Sequence, residues 1–244
     1  PDQPLKAFEQ GSPLGQLFST VQAQRLNRGL IEALSIQLPE RVGKELCELV
    51  PAAANDEVIR AGIVESLLWR NPASITKQTL QCLNKHALRY AGTNQQFLGV
   101  LLTIAMNPRH PLNADSLHKN LRELSMAERD AWWSIFLYEQ YDSGLHSPVN
   151  RLIDWAWKGE ERGQIDDEPL RLACTALCWF LTTSHRFLRD CATKALVRLL
   201  EKRLSVLRQL LAAFAEVDDP YVVERLYAVA YGLSLIHISE PTRQ

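Results

Sequence analysis

The chain reads as all-α, an irregular HEAT-like α-solenoid of stacked antiparallel helix pairs, and three observations predict it. Apolar residues recur at three- and four-residue steps in one segment after another, the period of one side of a helix. No segment shows sustained two-residue alternation of β-branched residues, so no sheet is expected. Leu188-Arg189-x-x-Ala192 is echoed by Glu224-Arg225-x-x-Ala228, 36 residues further on, and more weakly by Ile59-Arg60 with Ser66-Leu67-Leu68. Such a spacing suits repeats built from helical hairpins.

The elements follow in order. From about Leu14 to Ile36, residues Leu17, Phe18, Val21, Leu26, Leu30, Ile31 and Leu34 fit helix spacing. Pro39 is expected to open a short helix to Val50, closed by Pro51. Asn55-Asp56-Glu57 supplies a cap and an acidic first turn for a helix running to Trp69. Asn71-Pro72 stops that helix and starts another, to about Tyr90, and Thr93-Asn94 opens the next, through Ile104. Asn107-Pro108-Arg109-His110-Pro111 is a loop, because its two prolines cannot continue a helix.

A short helix around Leu117 to Leu124 precedes Ser125-x-x-Glu128, a capping-box pattern that introduces the apolar RDAWWSIFLYEQY. Ser147-Pro148 begins VNRLIDWAWKG, which ends at Gly159. PLRLACTALCWFLTTS is apolar nearly all round, which places it inside the stack. Ser184 is the expected N-cap of the next helix, whose Leu188, Cys191, Ala192, Ala195, Leu196, Leu199 and Leu200 form one side. Asp219-Pro220 starts the last, with a capping carboxylate before a proline that lacks the N–H the first turn can spare. This amounts to roughly a dozen helices with short connections.

Length and composition bound the function. With 244 residues and 46% hydrophobic content the chain can bury a large core, and a net charge of −1 argues against a surface built throughout for nucleic acid or anionic lipid. No apolar run suits a bilayer span and no signal peptide opens the sequence, so a cytoplasmic protein is expected. The five cysteines, Cys47, Cys82, Cys174, Cys178 and Cys191, are odd in number and sit mostly within helical patterns, which predicts buried thiols in a reducing compartment. Residues 1–12 look like an irregular cut end, 13–232 like the helical-repeat domain, and 107–114 is where any subdivision of it would fall. After Gly232 the helical pattern dissolves into LSLIHISEPTRQ, which resembles an in-frame translation of a sequencing-library adapter. Residues 233–244 are therefore expected to be foreign to the protein.

The chemistry of common sites is not written in the chain. Gly43-Lys44 lacks the upstream glycine and the hydroxyl of a phosphate-binding loop, and H-E-x-x-H, C-x-x-C and G-x-S-x-G do not occur. No catalytic residue, cofactor or metal site is expected. Cys174 and Cys178 read as core thiols; His86, His110, His118, His146 and His185 read as surface or capping residues; Asp166-Asp167-Glu168 and Asp218-Asp219 read as helix caps.

Two features suggest binding. Trp132-Trp133 and Trp155-x-Trp157 cannot easily place both members of each pair on one buried face; packing between repeats is the favoured reading, and stacking on bases or anchoring a partner, with Trp132 and Trp155 as candidates, is the other. Between Ser184 and Gln209, Arg186, Arg189, Lys194, Arg198, Lys202, Arg203 and Arg208 are set against only Asp190 and Glu201. That ridge is either a solvated face paired with acids such as Glu160, Glu161, Asp166 and Asp167, or a surface for an acidic partner or a phosphate backbone. Arg186, Arg189, Lys194 and Arg198 are its candidate contacts.

RDAWWSIFLYEQY, VNRLIDWAW, LCWFLTTSHRFLRDCATKALVRLL and VDDPYVVERLYAVAYG together resemble the long helical region that follows the ATPase module in bacterial STAND (NACHT-like) proteins of antiviral defence. The resemblance runs from about Met126 to Gly232. It implies a sensor array that grips a viral structural protein and thereby lets an attached ATPase oligomerise and switch on an effector, with neither ATPase nor effector in this segment. The alternative expectation, from another class, is a nucleic-acid-binding helical repeat using residues 186–208.

Overall fold

A computed structural model describes residues 28–50, 57–158 and 164–239. Every regular element among them is helical. Residues 14–27 of the expected first helix, the Asn55-Asp56 cap, Pro51, Gly159 and the acids Glu160 and Glu161 lie outside the described residues, whereas Leu30, Ile31 and Leu34 of that helix are described. The chain divides into two compact units, 1–100 and 101–244.

In the first unit α1 (Arg28–Val42) lies against α3 (Glu57–Ser66). Gly62 makes that approach possible, since a Cβ there would meet Cγ2 of Ile31 at 2.5 Å. Pro39 does not open a helix; it sits buried inside α1, which continues to Val42. One lost hydrogen bond near the end of a helix is outweighed by burying the helix's apolar side. Gly43, at φ 68°, then takes the left-handed conformation that ends α1, and its amide donates to the Pro39 carbonyl at 3.2 Å.

The short α2 (Leu46–Leu49) is held by a reciprocal cap between Glu45 and Glu48. Asn71-Pro72 opens only a 3₁₀ turn, Pro72–Ser74, whereas the following α4 (Lys77–His86) is started by Thr76, which caps the Gln78 amide. The α5 helix (Ala91–Ile104) begins ahead of the expected Thr93-Asn94, and Thr93 is buried within it. Beneath α2 and α4, Arg70 donates two parallel hydrogen bonds to Glu45, both at 2.9 Å, with side-chain exposures of only 1% and 7%. Thr79 donates to the same carboxylate at 2.6 Å, and the Ser74 carbonyl takes a further guanidinium N–H at 2.8 Å.

The expectation of reduced cysteines is corrected at one pair. Cys47 of α2 and Cys82 of α4 form a buried disulfide, with Cα atoms 6.3 Å apart. Packing of α2 on α4 brings together two cysteines that the helical pattern alone assigns to separate apolar faces.

The second unit is built around α10 (Asp167–Phe180). Residues 172–181 are buried without interruption, and the helix contacts α6 (Ala114–Arg122), α9 (Pro148–Lys158), α11 (Arg186–Leu200), α12 (Leu204–Phe214) and α13 (Pro220–Ser239). The apolar composition of this segment dictates its central place. Around it α11 packs against both α9 and α13, while α12 packs against α10 and α13. Several signals act as expected: Ser125 and Glu128 form the capping box, Ser147 accepts from the Asn150 amide, and Asp219 accepts from the Tyr221 amide.

Others differ. Asn113, not the run around Leu117, starts α6, and His185 rather than Ser184 caps α11, its Nδ1 accepting from the Leu188 amide at 3.2 Å. Asp166 precedes α10 without a side-chain cap, while Asp167 and Glu168 pair with Arg203 and Arg171. The last helix does not end at Gly232: α13 runs on to Ser239 and buries Leu233, because LSLI carries enough helix-compatible apolar residues to continue the turn.

RDAWWSIFLYEQY is one continuous rod with a defect. The turn Met126–Arg129 (α7) passes through a π-helical Asp130–Ser134 into Ile135–Asp142 (α8). The wider turn sends Trp133 wholly into the core, where its Nε1 donates to the Trp179 carbonyl at 3.1 Å, and leaves Trp132 partly exposed.

Candidate interaction surface

The basic ridge is largely neutralised by its own surroundings. Arg186 and Arg225 share Asp190 at 3.8 and 3.0 Å, Arg198 meets Glu201 at 3.3 Å, and Arg203 pairs with Asp167 while donating to the Ile165 carbonyl. Arg189 lies half-buried over the ring of Tyr221, 5.2 Å from its centre. Of the candidate contacts on α11, Arg186, Lys194 and Arg198 are exposed, the Arg186 side chain at 81% and that of Arg198 at 56%. The four candidate cations therefore do not form one uncompensated stripe.

Beside Arg186 lies a feature the sequence reading passed over. Tyr138 and Phe187 are 50% and 70% exposed, and both rings approach His185, at 5.4 and 6.0 Å between centroids. Tyr141 packs on the same imidazole at 5.1 Å. Ile135, one turn before Tyr138, is also exposed. The π turn and the His185 cap hold this face in place: the first fixes the rotation of α8, and the second fixes where α11 begins. No periodicity announces it, because Phe187 lies on the polar side of α11.

The tryptophans separate. Trp133 and Trp179 are core residues, Trp69 and Trp157 are exposed, and Trp132 stands edge-on to Trp133 at 6.1 Å. Trp155 lines a cavity of about 240 Å³ with Leu102, Thr103, Met106, Pro148, Arg151 and Leu152, all within the second unit. Trp132 and Trp155 are not brought together in one contact.

The titratable groups elsewhere are structural. His110 is buried, with Nδ1 accepting from the Leu112 amide at 3.1 Å. His118 is not the surface residue expected: it packs on Trp179 and Phe214, and burial, helped by Arg122, lowers its pKa below the ordinary 6.5. Cys174 and Cys178 are buried free thiols whose ionisation burial pushes far up. Arg129 is enclosed against Trp179, donates to the carbonyls of Leu121, Leu124 and Asp218, and lies 3.9 Å from Asp219. Burial pushes the Asp219 carboxyl above its ordinary 3.8 against the pull of Arg129.

Among the described residues no group of three or more His, Cys, Asp or Glu side chains is arranged to hold a metal ion. No helix among them is long and apolar enough to cross a membrane. No protein-family model, curated protein or solved structure matches the chain.

Proposed function

We propose that this chain is a protein-recognition module, a helical-repeat scaffold that serves as the sensor part of a larger STAND-type defence ATPase. The observation that carries the recognition reading is the exposed aromatic face of Tyr138 and Phe187 beside the extended Arg186. Exposed aromatics with an adjacent arginine are the composition of an interface centre, since they bury much area with few rotatable bonds. The solenoid reading is supported within the second unit by packing of α9, α11 and α13 in succession, and of α10 on α12. Hairpins stacked in register make such contacts. The STAND lineage rests on the sequence resemblance, and the partner it implies is a viral structural protein met in the cytoplasm, with oligomerisation of the whole protein following.

A nucleic-acid role has less behind it, because most of the ridge already faces carboxylates or an aromatic ring. The test is capture of individually purified phage structural proteins by the full-length protein, comparing wild type with Phe187→Asp and Tyr138→Asp. At least one such protein should be retained, with retention reduced tenfold or more in both variants. Retention indifferent to both substitutions, or binding only to nucleic acid with a steep loss on adding salt, would overturn the reading.

A further inference from the structure

The cavity beside Trp155 joins three properties of a small-ligand site. It holds about 240 Å³, below the range of roughly 300–1,000 Å³ common for drug-sized ligands. Its walls come from the end of α5, as Leu102 and Thr103, from Met106 in the turn that follows, and from one side of α9, as Pro148, Arg151, Leu152 and Trp155. Those four residues of α9 recur at three- and four-residue steps and so present one continuous wall. Of the lining, Leu102 and Leu152 are buried and Met106, Pro148 and Trp155 half-buried.

Arg151 is the one charged residue of the lining and is exposed. The nearby acid of its own helix, Asp154, is engaged by Lys158 at 3.0 Å. The first-turn amides do not compete for an anion, since the Asn150 amide donates to Ser147 Oγ and the Arg151 amide to the Ser147 carbonyl. The anion-selecting group is thus the guanidinium, whose planar fork matches a carboxylate with two parallel N–H donors. The indole face, the proline and the adaptable thioether suit a flat apolar body.

We propose that this cavity binds a small carboxylate carried on an aromatic body, with Arg151 holding the carboxylate and Trp155, Met106 and Pro148 enclosing the ring. The site is separate from the Tyr138–Phe187 face, and either stands if the other fails. The same chemistry is offered by a free aryl-alkanoic acid and by the last residue of a peptide ending in phenylalanine.

The sequence provides its own reporter, for it has only two methionines, Met106 in the cavity wall and the exposed Met126. The full chain, labelled with ¹³C at the methionine methyls, is titrated with 3-phenylpropionate, with its neutral amide, and with an acetylated tetrapeptide ending in phenylalanine. A saturable shift of Met106 with Met126 unmoved is expected from the acid, the peptide or both, and which of them acts identifies the source. The amide should bind about tenfold more weakly, Arg151→Gln should weaken the acid by about tenfold or more, and Arg151→Lys should recover part of the loss. Absence of any Met106 shift, equal shifts at both methionines, or equal binding of acid and amide by the wild-type chain would overturn the proposal. The acid-to-amide comparison needs no variant and so does not depend on how a substituted chain folds.

Discussion

Arg129 shows how much one buried side chain can carry. Its guanidinium reaches back to carbonyls in the Leu121–Leu124 turn and forward across 89 positions to the Asp218 carbonyl, beside Asp219. A buried ion needs partners for its donors, which the two terminal nitrogens of Arg129 have and its Nε does not, and removing one partner strands the other. Arg129→Met should therefore lower stability by about 3–5 kcal/mol, measured as the shift in the urea midpoint of far-UV circular dichroism. Adding Asp219→Asn should recover part of that loss, because asparagine still caps α13 while the stranded charge is gone. A double variant no better than the single would show that the carbonyl contacts, not the charge pair, dominate.

At the scale of elements, the local chemistry of the chain carried most of the reading. The capping box at Ser125, the Ser147-Pro148 start and the Asp219-Pro220 start all act through neighbours within three residues, and each was legible. The unbroken burial of residues 172–180 of α10 was legible for the same reason: composition alone dictates it. What escaped depends on tertiary contact. Pro39 inside α1, the Glu45–Arg70 pair and the Cys47–Cys82 bridge each need a partner 25 or more residues away or a packed neighbour, which spacing in one segment cannot reveal. The interaction face was missed on similar grounds, since Tyr138 and Phe187 meet through His185 across two helices. Of the residues singled out for binding, Arg186 and Trp155 stand at sites the structure supplies with neighbours of useful chemistry, while Arg186, Arg189 and Arg198 each also make an internal contact.

The bridge between α2 and α4 is directly countable. Under urea without reductant, thiol titration should find Cys174, Cys178 and Cys191 and no others, with Cys47 and Cys82 joining them after reduction. In the native chain the partly exposed Cys191 should react far faster than the two buried thiols, whose thiolates burial disfavours. Five thiols before reduction would mean that the pair is not joined.

For the molecule as a whole, the half-buried His118 and the buried Asp219 make stability depend on pH with opposite signs. His118 is held neutral, its folded pKa lying below the ordinary 6.5, so the unfolded chain takes up the proton first. Its contribution is complete above that value and is lost as pH falls through it toward the lowered one. Asp219 runs the other way: with a folded pKa above the ordinary 3.8, the native chain binds the proton more tightly, and stability from this group grows as pH falls through the raised value. The denaturation midpoint of His118→Phe should accordingly fall less between about pH 7 and pH 5 than that of the wild type. An unchanged difference between the two pH values would remove His118 from the account.

The long reach of Arg129 also decides where this polypeptide can be trimmed. A shorter version that stops before residue 217 would discard the carbonyl and carboxylate on which that guanidinium closes, and one that starts after Leu124 would discard the opposite pair. Any minimal piece made for binding work has to keep both ends of this clasp, however small the surface it is meant to display.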